Sequence, residues 1–195
     1  MKDFYIVSYK PDGEGAPYFF DMDWVPELPS FHYPSANPEL SSLSSHYRAI
    51  ADIRGLEADW LPDHFLASHE FVAVCDKLSC SYISCATDLF LKGEPSRKEY
   101  FFFVVSERLR AMDVERSSFT LDSNPKLKDI SMPSYEVIDR LVMLESIESH
   151  LFYFEEIHEV VCSPKFLEAC EAAKIFGLNF IKIDEEYRYA PWEDF

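Results

Sequence analysis

Val160-Val161-Cys162-Ser163-Pro164-Lys165-Phe166-Leu167-Glu168-Ala169-Cys170-Glu171-Ala172-Ala173-Lys174-Ile175-Phe176-Gly177-Leu178-Asn179-Phe180-Ile181-Lys182-Ile183 is the stretch that decides the fold class. It opens on a short β-branched run and closes on another, and between them lies a punctuated helix. Ser163 is placed to cap that helix, and Pro164 falls at the first helical position, where a missing N–H costs little. Phe166, Leu167, Cys170, Ala173 and Phe176 then recur on one side, and Gly177 follows as the expected terminator. Strand, capped helix, glycine and strand predict an α+β fold: a mainly antiparallel sheet with a few segregated helices.

Working outward, Leu141–Leu144 and Leu151–Phe154 read as short strands before this unit. Further back, residues 65 to 119 are rich in β-branched, aromatic and cysteine side chains. Strands are expected at Phe71–Val74, Cys80–Ile83, Tyr100–Val105 and Ser117–Thr120. The run Tyr100-Phe101-Phe102-Phe103-Val104-Val105 lacks alternation, as in a strand covered on both faces. Lys92-Gly93-Glu94-Pro95 supplies a turn before it. In Ser41–Gly55, Leu43, Tyr47, Ile50 and Ala51 fit a helical spacing with Gly55 as its stop. Phe4–Tyr9 predicts an early strand closed by Pro11-Asp12-Gly13. Six of the twelve prolines then fall between Pro11 and Pro38. They predict an irregular N-terminal wrap, held on the core by Tyr18, Phe19, Phe20, Trp24, Phe31 and Tyr33.

The chain has 195 residues with 18 Lys plus Arg against 35 Asp plus Glu, a formal charge of −17, and 48% hydrophobic residues. So much apolar surface excludes the disordered class, and the length suits a single domain over residues 1–195. The charge divides as −6 over residues 1–60, −2 over the strand-rich middle 61–133 and −9 over 134–195. An acidic chain is a poor partner for nucleic acid or an anionic membrane, both of which reward clustered Lys and Arg. A partner with a basic surface is its complement. No apolar run approaches the roughly 20 residues a spanning helix needs, and no apolar signal core follows the start, so a cytoplasmic protein is expected. The five cysteines, an odd number, suit the same reducing compartment.

Chemistry-bearing patterns are weak. Cys75, Cys80 and Cys85 follow His64 and His69, but a spacing of five departs from the knuckles of structural zinc sites and would alternate side chains between strand faces. Buried core thiols are the better reading, and Cys162 and Cys170 are expected around the C-terminal helix in the same role. Asp21 and Asp23 could hold a divalent cation through oxygen, yet such a pair arises easily among 35 acids. No serine elbow, paired-histidine helix or glycine-rich phosphate loop is present in this five-glycine chain. His32, His46, His150 and His158 have no companion pattern. His158 stands among Glu155, Glu156 and Glu159, which would favour its charged form. No catalytic residue, metal or cofactor is assigned.

The densest acidic clusters are Glu155, Glu156 and Glu159, and Asp184, Glu185 and Glu186 with Glu193 and Asp194. Their plain reading is a solvated face. Their sharper reading is a docking surface for a cationic partner, with Glu155, Glu156, Glu159, Asp184, Glu185 and Glu186 as the contact candidates.

The order of segments resembles the α+β immunity proteins of bacterial polymorphic toxin systems. The resemblance rests on Phe4-Tyr5-Ile6-Val7, on Lys98–Phe103 leading to Leu109–Ser117, and on the ending Val161–Phe166 through Ala173–Phe180. It implies a small acidic cytoplasmic protein, encoded beside a secreted toxin, that neutralises it by stoichiometric binding and has no active site. A nuclease is one toxin class this charge would suit, since carboxylates can stand in for phosphate. The alternatives are a small hydrolase or transferase using Asp21, Asp23 or a cysteine, and an adaptor or regulatory module outside toxin biology.

Overall fold

The computed structural model describes residues 2–30, 36–122 and 134–191. Phe31, His32, Tyr33, Glu193 and Asp194 therefore lie outside the described residues. The elements run β1 (Tyr5–Tyr9), β2 (Met22–Val25), β3 (His46–Ala51), β4 (Trp60–Leu61), β5 (Leu66–Ser68), α1 (His69–Lys77), β6 (Tyr82–Leu91), β7 (Glu94–Pro95) and β8 (Tyr100–Val105). They continue with β9 (Arg108–Leu109), β10 (Ser118–Leu121), β11 (Tyr135–Arg140), β12 (Leu151–Phe154), β13 (Glu159–Cys162), α2 (Pro164–Ala173) and β14 (Leu178–Lys182). The fold is sheet-rich and α+β in kind, with two α-helices among the described residues. None of these is long and apolar enough to cross a membrane.

Two sheets carry the structure. The first has the order β14-β1-β13-β12-β9, and the second has the order β2-β3-β6-β8-β5-β4, with β7 pairing β6. Among the described residues the pairings β3–β6 and β9–β12 are parallel and the others antiparallel. Strand alternation explains how one chain serves several cores. Phe103 and Val105 on β8 share a cluster with Leu151 and Tyr153 on β12, Val160 and Cys162 on β13, and Val7 on β1. The intervening residues point the other way: Phe102 and Val104 meet Tyr47, while Phe152, Phe154 and Val161 meet Phe4 and Ile6. Tyr100–Val105 is thus covered on both faces, as its unbroken apolar run requires.

Both helices insert into the cluster shared by the sheets. Phe71 of α1 stacks on Trp60 at 5.3 Å and meets Phe166 of α2 edge-on at 5.8 Å. Full burial of a ring such as Phe71 contributes about 2–3 kcal/mol over leaving it in water. Ser163 caps α2 by accepting from the Phe166 amide, with Pro164 at the first position. Ser68 caps α1 in the same way through the Phe71 amide.

Several local expectations are corrected. Phe71–Val74 is helical: the Ser68 cap starts a turn, and Phe71, Val74 and Cys75 then fall at the three- and four-residue spacing that buries one face. Ser41–Gly55 holds the strand β3 (His46–Ala51) where a helix is expected. Tyr47, Ala49 and Ala51 point inward and His46, Arg48 and Ile50 outward, a period of two that the helical spacing concealed. β6 begins at Tyr82, so Cys80 and Ser81 belong to the turn before it. Leu141–Leu144 is buried in part but irregular, with one bridge between Met143 and Met112. The helix ends at Lys174, in the left-handed region at φ 57°, rather than at Gly177. Gly177 meets a different need, since a Cβ there would stand 2.8 Å from the Cβ of Ala58. The N-terminal wrap contains the edge strand β2, and Tyr18 (62% exposed) and Phe19 (93%) leave the core altogether.

A buried carboxylate joins the pieces. Asp59, 2% exposed, accepts from Ser68 Oγ at 2.6 Å, Lys98 Nζ at 2.8 Å and the Phe176 amide at 2.7 Å. Asp59→Ala strands the Ser68 hydroxyl and the Phe176 amide and leaves Lys98 with the Glu57 carbonyl alone. It is expected to destabilise the fold by about 3–5 kcal/mol, the cost of breaking a buried pair, as read by denaturant unfolding.

Candidate functional site

The acidic clusters of the C-terminal third part company in the structure. Antiparallel register sets Ile6 opposite Val161 and Tyr5 opposite both Cys162 and Lys182. Glu159 therefore lies level with Ser8, whereas Ile183, whose amide donates to Phe4 at 2.9 Å, ends at the other end of β1. Four strand residues, roughly 13 Å, separate the two levels. Asp184, Glu185 and Glu186 are exposed in a turn there, where Asp184 Oδ1 accepts from the Glu186 amide at 3.0 Å.

At the opposite end, the β12–β13 turn gives its acids separate roles. Glu155 is ion-paired to Arg108 Nε at 3.4 Å and Arg110 Nε at 3.5 Å, with its side chain 18% exposed. Glu156 is buried, and its carboxylate accepts from the Ala111 amide at 3.2 Å. Burial pushes the Glu156 carboxyl above the usual range against the pull of that amide. Glu159 alone of the three is exposed with no salt bridge among the described residues. Desolvation and the nearby Asp63 raise its carboxyl too.

His158 departs from the expectation of a charged ring. Burial and the Arg108 guanidinium lower its pKa, outweighing Glu155. Arg108 stacks 4.2 Å over Tyr153, whose hydroxyl shares a 3.1 Å hydrogen bond with His158 Nδ1. The residue itself sits at φ 58°. This turn borders a cleft of about 530 Å³, lined among others by Trp60, Asp63, Phe65, Tyr153, His158 and Glu159. Sequence reasoning singled out Glu159 but missed Trp60, Asp63, Phe65 and Tyr153. No local motif marks them, because the cleft is assembled from three segments, residues 7–9, 60–65 and 153–160.

Cys75, Cys162 and Cys170 are buried with Cys80 packed against them. Cys75 and Cys80 share a hydrogen bond rather than alternating across strands, because a helix and a turn carry them. The hydrogen bond with Cys80 and then burial hold the Cys75 thiol far above its usual range, burial does the same for Cys162, and burial raises Cys170 to about 12. They are protonated at neutral pH and poor as nucleophiles or ligands. Asp21 and Asp23 are exposed around the edge strand β2. Among the described residues no three His, Cys, Asp or Glu side chains gather as a metal site.

Residues 74–185, more than half of the chain and running from α1 past β14, match the model of a family described as the immunity protein family Imm11. No curated protein matches the chain.

The raised Glu156 carboxyl has a consequence for pH. The unfolded chain ionises this group at the ordinary value and the folded chain at a higher one, so its contribution is fully present in acid and lost as pH rises through the folded value. Glu156→Gln keeps an acceptor for Ala111 and carries no charge. Its melting temperature is expected to exceed the wild type's at pH 7–8 and to converge with it near pH 4, measured by thermal melts across that window.

Proposed function

This chain belongs to the Imm11 immunity protein family, and from that premise we propose that it binds and neutralises a cognate protein toxin by stoichiometric complex formation. The family match over residues 74–185 is the observation that carries this reading. It also favours an inhibitor over an enzyme, so the work is done by a surface and no residue is assigned to catalysis.

The finer reading concerns how the partner is met. A charge of −17 creates a field that raises the encounter rate with a basic surface and fades with salt beyond a Debye length of about 8 Å. Asp184, Glu185 and Glu186 are exposed and suit that steering role, as does Glu159. Glu155 and Glu156 support the surface from within, the first by holding two arginines and the second by anchoring Ala111. A basic toxin acting in the cytoplasm, such as a nuclease, is the partner this charge fits. The protein meets it there as one domain without cofactor.

Co-expression with the toxin encoded by the adjacent gene tests the proposal. Rescued growth and a one-to-one complex on size exclusion are expected, whereas undiminished toxicity with no complex would refute it. Charge reversal at Asp184, Glu185 and Glu186 together is expected to slow association about tenfold and flatten its salt dependence while leaving the melting temperature unchanged.

A further inference from the structure

The cleft beside the β12–β13 turn has walls and a rim of different chemistry. Trp60 and Tyr153, each 1% exposed, border its depth, and Phe65 lines it as well. Asp63 and Glu159 stand exposed at its mouth. Neither carboxylate has a salt bridge among the described residues, and no Lys or Arg lines the space. Two carboxylates without a salt-bridge partner at the mouth of a cleft are the receptor a cation requires. Carboxylate oxygens accept its N–H groups, whereas Tyr153 supplies no open ring face, since Arg108 already lies 4.2 Å over it. A guanidinium fits best, because its planar fork of donors can engage both rim carboxylates at once.

The cleft is shaped by backbone that most residues avoid. Phe65 at φ 54° and His158 at φ 58° are two of the five non-glycine residues with positive φ among those described, and both line it. Such conformations persist where the surrounding structure holds them, and they gather at binding sites.

An exposed aromatic patch adjoins the same rim. Phe20 stacks on His64 at 4.1 Å, and a small hollow beside them shares Tyr9, Pro62 and Asp63 with the cleft. Tyr18 and Phe20 border this hollow, and Phe19 between them in sequence is 93% exposed. The loop bearing them is held in place: Asp12 Oδ1 accepts from the Glu14 and Ala16 amides at 2.8 Å, and the Glu57 amide donates to Gly15 O at 2.7 Å. A presented ring on an ordered loop is a low-entropy contact, the property that makes aromatics binding hot spots.

We propose that this cleft receives an arginine side chain of the cognate toxin between Asp63 and Glu159, with Phe19 and Tyr18 packing on the toxin surface around it. The inference rests on the immunity reading and assigns its docking face. Desolvation of Glu159 and the like charge of Asp63 already raise the Glu159 carboxyl, so an entering cation relieves a repulsion present in the free protein.

The test uses the full chain and a catalytically inactivated form of the toxin encoded by the adjacent gene. Asp63→Asn combined with Glu159→Gln keeps size and hydrogen bonding while removing charge. It is expected to weaken binding by about 30-fold or more, mainly through faster dissociation, with a melting temperature at pH 7 no lower than the wild type's. Phe19→Ala, which removes an exposed ring, is expected to weaken it about tenfold. Arginine-to-alanine scanning of the toxin should find one arginine whose loss weakens binding to the wild type but not to the double variant. Wild-type binding with the double variant within about threefold, or with no coupled arginine, overturns the cleft assignment and leaves the immunity reading intact. A coupled lysine in its place also overturns the guanidinium assignment. Absence of wild-type binding overturns both.

Discussion

The carboxylate of Asp59 is the point on which the rest of the structure depends. It is buried, and charge is tolerated there because Lys98, Ser68 and the Phe176 amide converge on it. Each partner belongs to a different part of the fold. Ser68 is the cap of the first helix, so the same hydroxyl that accepts from Phe71 donates to Asp59. Phe176 follows the second helix and precedes the last strand, and Asp59 also bonds it through the backbone. One ion therefore fixes where one helix starts and where the chain leaves the other, and Trp60, next in sequence, packs its ring between them and the cleft. The left-handed Lys174 and the tight approach of Gly177 to Ala58 complete the same junction.

That junction gives the net charge its meaning. Acidity counted along the chain treats Glu155, Glu156 and Glu159 as equals, although they are three different objects. One holds two arginines, one anchors an amide inside the protein, and one faces solvent beside Asp63. Pairing and burial thus withdraw some carboxylates from any surface role and leave others uncompensated at a rim. A surface built for a cationic partner is defined by the uncompensated ones together with the apolar area next to them, because charge steers encounter while buried rings hold the complex. The resemblance to immunity proteins carried by Phe4–Val7, Lys98–Phe103 and the C-terminal unit agrees with the family match over residues 74–185. The aromatic patch at Tyr18 and Phe19 lies outside that matched stretch.

The start of the C-terminal helix and the strands on either side of it were legible in the sequence, because their signals are local, whereas the helix end at Lys174 and the exposure of Phe176 were not. A serine cap, a proline at the first position and an apolar stripe act within a few residues of one another, as do the turn at Lys92-Gly93 and the two-faced strand Tyr100–Val105. The sequence by itself determined the sheet-rich α+β character and the acidic surplus for the same reason. The tertiary structure alone decided His46–Ala51 and Phe71–Val74, where the local pattern fits helix and strand alike. A parallel partner in β6 selected strand for the first, and a capping serine tied to Asp59 selected helix for the second. It alone brought Trp60, Asp63, Phe65, Tyr153 and Glu159 into one cleft. Their contact depends on strand register across two sheets, and register is set by which faces find burial, a condition that no short window of residues contains.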